Sequence, residues 1–490
     1  MNELEAPVLP IGPDIDMFRS VRPFYRRWLT EVIEWIVRRY ESRPDYRFLD
    51  TKHDVINRRD FDDDDEFRGP DAVFGWIQGR GLESLVVHAE WLGRSDRGSE
   101  TNETAALVQR IDRIIDELSA TLSMVRAEND GHIYFLMNAD GAPRFDRGGR
   151  PGRDIYTFAD IFCAKGLYSA AHHRGDAAGA AQAREYLTQI ERSLWEFRFR
   201  NLQFTPGSPV SNDDPRRVRQ EGPFMIFLGA LAVFAEREGG AWCTGAGLGI
   251  IERILSRHTA AADAPPLARR GDMWEAVDEH DRPHLSAGRL ISDPGHSIEF
   301  VGLASRFLRA IEHRGELTDS DARRAAAARA RLPELLFANF ENGFRRPVGG
   351  ITKTIDLITR APIDPNLPWW SLPETMRAAA EVHAGSETPA GGAANVRDQC
   401  LSLFALCHNA LVERYLVPGD PQLWVQTRGA DGSIVDVIPS CADVDPGYHT
   451  NLSIIEALEL LLPRIDEHRE RAEDKEERRA RRSNHDGTGG

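Results

Sequence analysis

The chain has 490 residues, 41% of them apolar, five cysteines and a formal net charge of −16. That length and apolar content can build a large core, while the acidic balance argues against a nucleic-acid surface or an anionic membrane as partner. No basic and apolar leader opens the sequence, the longest apolar run (Pro223 to Ala235) is too short to cross a bilayer, and Cys163, Cys243, Cys400, Cys407 and Cys441 form no Cys-x-x-Cys pair; the reading is a soluble cytoplasmic protein with reduced thiols.

Helical periodicity dominates from the N-terminus onward. The spacing predicts helices over 22–40, 71–92, 103–127, 155–173, 176–197, 220–237, 245–258, 295–313, 319–340, 370–384, 395–416 and 447–467. Gly175 stands where a C-terminal glycine should end its helix, and Thr318-Asp-Ser-Asp321 offers an N-cap. Three segments read as strands of hairpins set into the helical frame: 132–137 before Asp140-Gly141, 273–277 before 280–283, and 423–427 before Asp431-Gly432. The Pro/Gly-rich stretches 205–215 and 385–394 read as long loops on one face. The acidic run Asp62 to Glu66 reads as a solvated loop ahead of a cation site.

About twelve helices in successive pairs, without the fixed-period repeat of a solenoid, predict an all-α (α/α)6 barrel with short β-hairpin insertions. The expected organisation is an N-terminal extension over 1–20, one barrel domain over 21–466 and a charged, disordered tail over 467–490. Gly245-Ala-Gly-Leu-Gly249 looks like a nucleotide loop, but it follows no strand of a βαβ unit and reads as a flexible helix start.

Five local patterns carry chemistry. Asp293-Pro-Gly-His-Ser-Ile-Glu299 sets a turn against a helix start, with His296 and Glu299 at i and i+3 on one face, the arrangement of a histidine oriented as a general base. Trp76 and Arg80 share an otherwise apolar helix. Gln220-Glu-Gly-Pro-Phe-Met225 begins an apolar helix, Trp369-Trp370-Ser-Leu-Pro-Glu374 puts Trp370 and Glu374 at i and i+4, and Gly447-Tyr448-His449 opens the last helix. Taken singly, each has a plainer reading as a salt bridge, core aromatics or a helix cap.

In this order the patterns resemble the N-acylglucosamine 2-epimerase family, which includes cellobiose 2-epimerases and aldose–ketose isomerases. The likeness covers roughly residues 20–465 and rests most on Pro294-Gly-His-Ser-Ile-Glu299. It implies an (α/α)6 barrel and a sugar substrate that loses and regains a proton at C2 through an enediolate. It further implies His296 and His449 as the acid/base residues, with Glu299 and Glu374 orienting them or binding hydroxyls. Arg80 would stabilise the oxyanion; Trp370 would offer an apolar face to the sugar, with Trp76 and Tyr448 completing the substrate contacts. Neither a cofactor nor a metal is implied, no ligand cluster is visible in the sequence, and a homodimer is the assembly the resemblance allows.

The chain departs from the family at three places. Leu452 stands where an arginine often follows the terminal histidine, Gly302 where an aromatic residue commonly follows the His-x-x-Glu motif, and Met225-Ile226-Phe227 where cellobiose epimerases and mannose-type isomerases have Met-His-Leu. The last favours the acylglucosamine branch; the first two remove sugar contacts and leave the substrate open. Two other classes stay in view: a glycoside hydrolase using Glu299 and Glu374 as its carboxylate pair, and a non-catalytic carbohydrate-binding descendant of the scaffold.

Overall fold

In a computed structural model, the structure describes residues 6–10, 12–94, 102–144, 152–200, 214, 216–262, 267–386, 393–417, 420–436 and 444–461. The outer face of the chain is set by helices with one apolar stripe. These are α1 (Val21–Ser42), α3 (Asn102–Glu128), α5 (Ala177–Trp195), α7 (Ala241–Arg257) and α12 (Ala393–Ala410). Helices buried on nearly every side form an inner ring: α2 (Gly75–Arg94), α4 (Phe158–Arg174), α6 (Gly222–Arg237), α8 (Pro294–Arg314) and α11 (Ser371–Gly385). The sixth inner position is α13, which opens as a wide π-turn over Tyr448–Leu452 and runs on over 453–461. An all-round apolar helix such as α6 has no solvent face to offer, whereas a one-striped helix must keep one. That difference sorts the two rings.

The inner helices pack in the order α2, α4, α6, α8, α11, α13 and back to α2. Closure between last and first rests on polar contacts: the Asn451 amide donates to His88 Nε2 at 2.8 Å, and His88 Nδ1–H donates to the Ser84 carbonyl at 2.7 Å. On the outside, the segment before α1 clips the ring shut. Leu9 exchanges two hydrogen bonds with the Asn409 side chain, and Phe18 packs edge-on against Phe404 with ring centroids 4.9 Å apart.

The expected (α/α)6 barrel is therefore present, with three differences in detail. The helix predicted over 319–340 is two helices, α9 (Asp319–Arg329) and α10 (Leu332–Gly343), because Pro333 sits in the first turn of the second and starts it afresh. Helix α7 begins at Ala241, so Gly245, Gly247 and Gly249 lie inside it; Gly247 is there because an added Cβ would meet the Phe307 ring at 2.1 Å. The three predicted hairpins turn back only through single bridges, Met137↔Pro143, Val277↔Pro283 and Arg428↔Ile434. Their ladders run to other connections: Leu136–Met137 pairs with Val73–Phe74, Ala276–Asp278 with Val218–Gln220, and Thr427–Arg428 with Leu367–Pro368. A further three-stranded sheet joins Ile291–Ser292, Thr354–Asp356 and Pro362–Asp364.

Gly175 ends α4 in the left-handed conformation and Thr318 caps α9 by accepting from the Asp321 amide, as expected. Asp65 in the acidic run accepts from Phe67 and Arg68 amides and pairs with Arg68. Cys163, Cys243, Cys400 and Cys407 are buried free thiols. Cys441, the tail from 462 and most of the two long loops fall outside the described residues. No helix among the described residues is long and apolar enough to cross a membrane.

Inner helices α2 and α4 touch backbone to backbone. A Cβ on Gly79 would meet the Phe162 carbonyl carbon at 2.3 Å and the Cys163 nitrogen at 2.5 Å, while one on Gly245, in the exposed part of α7, would meet nothing within 4 Å. Gly79→Ala should lower stability by about 1–3 kcal/mol through overpacking. Gly245→Ala should raise it by about 0.5–1 kcal/mol by removing unfolded-state entropy. Urea unfolding of the two variants beside the parent measures both, and equal signs would contradict this packing.

Candidate active site

All six inner helices direct their N-terminal ends toward one cavity of about 210 Å³. Trp76 and Arg80 come from the first turns of α2, Phe158 and Phe162 from α4, Met225 and Ile226 from α6, His296 and Glu299 from α8. Trp369 and Trp370 lie just before α11, and Asp445 and His449 lie at the start of α13. The positive ends of six helix dipoles therefore face one space, which favours negative charge there.

The two histidines are held in the same way. Asp293 caps α8, its Oδ1 accepting from the amides of Gly295 and His296, and Pro294 and Gly295 are the first helical residues, not a separate turn. Asp445 does the same for α13, accepting from the amides of Tyr448, His449 and Thr450 at 2.7, 3.2 and 2.7 Å. Between each aspartate and its histidine stands Pro-Gly. Gly295 is needed because a Cβ there would press on the Trp370 ring at 2.7 Å; Gly447 is needed because its φ is +77°. The indole of Trp370 packs against both imidazoles, at ring-centroid distances of 5.6 Å to His296 and 5.5 Å to His449.

Their electrostatic surroundings differ in sign. His296 Nδ1 lies 3.2 Å from Glu275 Oε2 and 3.5 Å from Asp293 Oδ2. Burial alone would lower its pKa, but the Asp293 and Glu275 carboxylates outweigh burial and carry it up to about 9. His449 Nδ1 lies 2.9 Å from Glu374 Oε1, and burial, then the nearby Arg80 charge, pushes the His449 pKa down to about 3. At neutral pH the first is an imidazolium and the second a neutral imidazole. One can give a proton while the other can take one.

The pairing expected inside the His296-x-x-Glu299 motif does not form. The partners of His296 are Asp293 and Glu275, whereas Glu299 joins Glu374 and His449, with one ligand atom from each of the three within 4.8 Å of the others. Burial and then the Glu374 charge raise the Glu299 pKa. Glu374 is fully buried behind His449, within reach of its imidazole, whereas Glu299 lines the cavity. Tyr448 also lies behind the wall. Its hydroxyl accepts from Lys165 at 2.9 Å, and Lys165 pairs with Glu83 at 2.8 Å, so this ring buttresses Arg80 and His449.

Arg80 is boxed by the rings of Phe162, Trp76 and Tyr448, its guanidinium carbon 4.2, 4.5 and 5.2 Å from their centroids. Its Nε is buried without a hydrogen-bond partner, and among the described residues no carboxylate pairs with it. It is a cation held by aromatic faces and left open to an anion.

Sequence reasoning missed Asp293 and Asp445 as caps, and Glu221, Glu275, Lys353 and Arg377. The caps had a signal: the tripeptide Asp-Pro-Gly precedes each histidine. Glu221 and Glu275 lie far apart in sequence and join His296 only through the ladder between Val218–Gln220 and Ala276–Asp278. Where the sequence shows no ligand cluster, the fold gathers two sets of two carboxylates and a histidine: Glu221, Glu275 and His296, and Glu299, Glu374 and His449. Either set has donors suited to a divalent cation. Resident cations already serve both, Lys353 on Asp293 beside the first and Arg377 on Glu374 beside the second.

No protein-family model and no curated protein matches the sequence. Solved structures do match the fold. A sugar epimerase from a ruminal bacterium superposes with a TM-score of 0.63 at 13% identity, covering 89% of this chain and 98% of its own. The cellobiose 2-epimerase of Bacillus thermoamylovorans gives 0.61 at 13% identity, covering 89% and 99%. A D-mannose isomerase gives 0.60 at 12% identity, covering 89% and 98%.

Glu221 is fully buried with neither carboxylate oxygen hydrogen-bonded, and burial first, then the Glu275 charge, pushes its pKa well above the usual carboxylate value. A carboxyl whose pKa the fold raises holds its proton to higher pH than in the unfolded chain, so Glu221 costs stability as pH rises above the ordinary glutamate range. Glu221→Gln should therefore stabilise the protein, with a gain that grows between pH 5 and pH 8. Urea midpoints across that range test it; a gain that shrinks with rising pH would refute a neutral Glu221.

Proposed function

We propose that this chain is a sugar 2-epimerase or aldose–ketose isomerase, removing and returning a proton at C2 of an open-chain aldose. The observation that carries the reading is the pair of imidazoles packed on one indole in opposite surroundings, His296 among carboxylates that raise its pKa and His449 buried near Arg80, which lowers it. The shared fold of sugar epimerases and a D-mannose isomerase agrees with it.

In this mechanism His449 is the base. Its Nδ1–H is engaged by Glu374, which leaves the Nε2 lone pair to take the C2 proton. The electrons move onto O1, and the enediolate forms beside the unpaired Arg80 guanidinium and the converging helix N-termini, which stabilise its charge. The His296 imidazolium returns a proton. Delivery to the opposite face of C2 inverts that centre and is epimerisation; return to C1 by the group that took the C2 proton, with the O2 proton passing to O1, yields the ketose. Ile226 at the cavity wall, where cellobiose and mannose-type enzymes resemble Met-His-Leu, points to an N-acylglucosamine-like substrate. An inverting hydrolase built on Glu299 and Glu374 fits less well, because Glu374 has no exposed surface in the cavity.

Incubation with N-acylglucosamine, glucose, mannose and cellobiose in deuterated water, followed by NMR, should show deuterium entering C2 of at least one sugar. His296→Ala and His449→Ala should each lower that exchange by at least about 10³-fold with the fold intact. Full exchange in either variant would end the two-histidine assignment. The pH dependence has a definite shape. The rate should fall above pH about 9, as His296 loses its proton, and His449, down at about 3, should add no acid limb between pH 5 and 8. A rate still rising at pH 10 would show that charged His296 is not the acid.

A further inference from the structure

Inner helix α8 carries a stripe of residues on the barrel axis, His296, Glu299, Gly302, Arg306 and Arg309, stepping by three or four. Its neighbour α11 carries Glu374, Arg377 and Glu381 at the matching helical spacing. Gly302 is the one member of the stripe without a side chain, and the space it leaves is filled. A Cβ there would lie 3.2 Å from Arg377 Nε and 3.4 Å from the Cα of Ala378. The Arg377 guanidinium, 4% exposed, forms an ion pair with Glu374 Oε2. The other oxygen of Glu374, Oε1, lies 2.9 Å from His449 Nδ1 and accepts from the Ser453 hydroxyl at 3.2 Å.

We propose that Arg377, lodged in the slot opened by Gly302, is a positioning residue that keeps Glu374 ionised and so fixes the tautomer of His449. The argument is one of charge in a closed space. Glu374 and Glu299 are both buried and lie together around His449. Two carboxylates so placed cannot both stay ionised unless a cation is paired with one of them. Burial pushes the Glu374 carboxyl up, the Arg377 charge works against that rise, and a guanidinium cannot give up its proton to escape the burial. An ionised Glu374 is an acceptor only, so it binds Nδ1–H and leaves Nε2 of His449 bare. A protonated Glu374 would donate to Nδ1 instead, move the ring proton to Nε2 and remove the base.

The same geometry accounts for both departures from the family pattern that the sequence presents. An aromatic side chain at position 302 would occupy the place of the Arg377 guanidinium. With Arg377 supplying the charge from α11, position 452 on α13 is free to be the buried, apolar Leu452.

The inference rests on the reading of His449 as the base, and two readouts separate the two claims. The full-length protein carrying ring-15N histidine, with the His449 signals identified by their loss in His449→Gln, should show Nδ1 protonated and Nε2 bare. Arg377→Met should bring up the Nε2–H form, lower C2 deuterium exchange by at least 100-fold, and give the remaining exchange a new acid limb. Arg377→Lys should return exchange to within 10-fold of the parent. Gly302→Leu, which keeps the arginine and takes its space, should reproduce Arg377→Met in weaker form, and it serves as the test variant if Arg377→Met does not fold. An unchanged His449 tautomer in the folded test variant overturns the proposal. If the parent exchanges no sugar, the proposed function fails, and the tautomer measurement still decides the role of Arg377.

Discussion

Six helix N-termini aimed at one cavity are the constraint from which the rest of the site follows. Because the inner helices run parallel, their dipoles add at the mouth of the barrel instead of cancelling. The resulting field explains why the mouth is crowded with carboxylates. Asp160 closes a capping box on α4, Asp293 caps α8 and Asp445 caps α13, each satisfying amides that the helix geometry leaves open. The two histidines sit within the first turn beyond such an aspartate, so their backbones are anchored before any side-chain contact is made.

Away from the mouth, the barrel axis holds charge that is paired along its length. Lys165 meets Glu83, Arg306 bridges Glu236 and Glu456, Arg309 meets Glu381, and Arg377 meets Glu374. Bridges of this kind bring little net stability over apolar packing, but losing one partner is expensive. Their value here is geometric. Glu374, held from behind by Arg377 and Ser453, becomes a rigid acceptor for His449, and Lys165 props the Tyr448 hydroxyl so that its ring faces Arg80. The environments of the two imidazoles are then opposite by construction. Carboxylates around His296 hold a proton on it, whereas burial beside Arg80 keeps His449 neutral.

Much of this was legible in the residues. Eleven of the predicted helices survive with shifts of a few residues at their ends, since 3.6-residue periodicity and caps are local properties. The split at Pro333 was legible in principle and was overridden by the apolar rhythm on either side of it. Strand pairing was not, because two-residue ladders between connections have no local signature: Val73–Phe74 meets Leu136–Met137 across an entire helix pair. For the site, His296, His449, Arg80, Glu299, Trp76 and Trp370 all line the cavity, while Glu374 and Tyr448 stand just behind it. Glu275 and Lys353 carried no local signal, since each enters the cavity from a connection with no helical periodicity.

The sequence by itself determined the barrel, the two Asp-Pro-Gly caps and the residue types at the mouth, because periodicity, capping and φ requirements act over a few neighbouring residues. Which carboxylate serves which histidine was decided only in three dimensions. Glu299, three residues from His296, faces His449, and Glu275, brought in by a ladder, takes its place. The physical reason is that pairing of buried charge depends on distance across the barrel axis, a quantity set when the ring of six helices closes and not by separation along the chain.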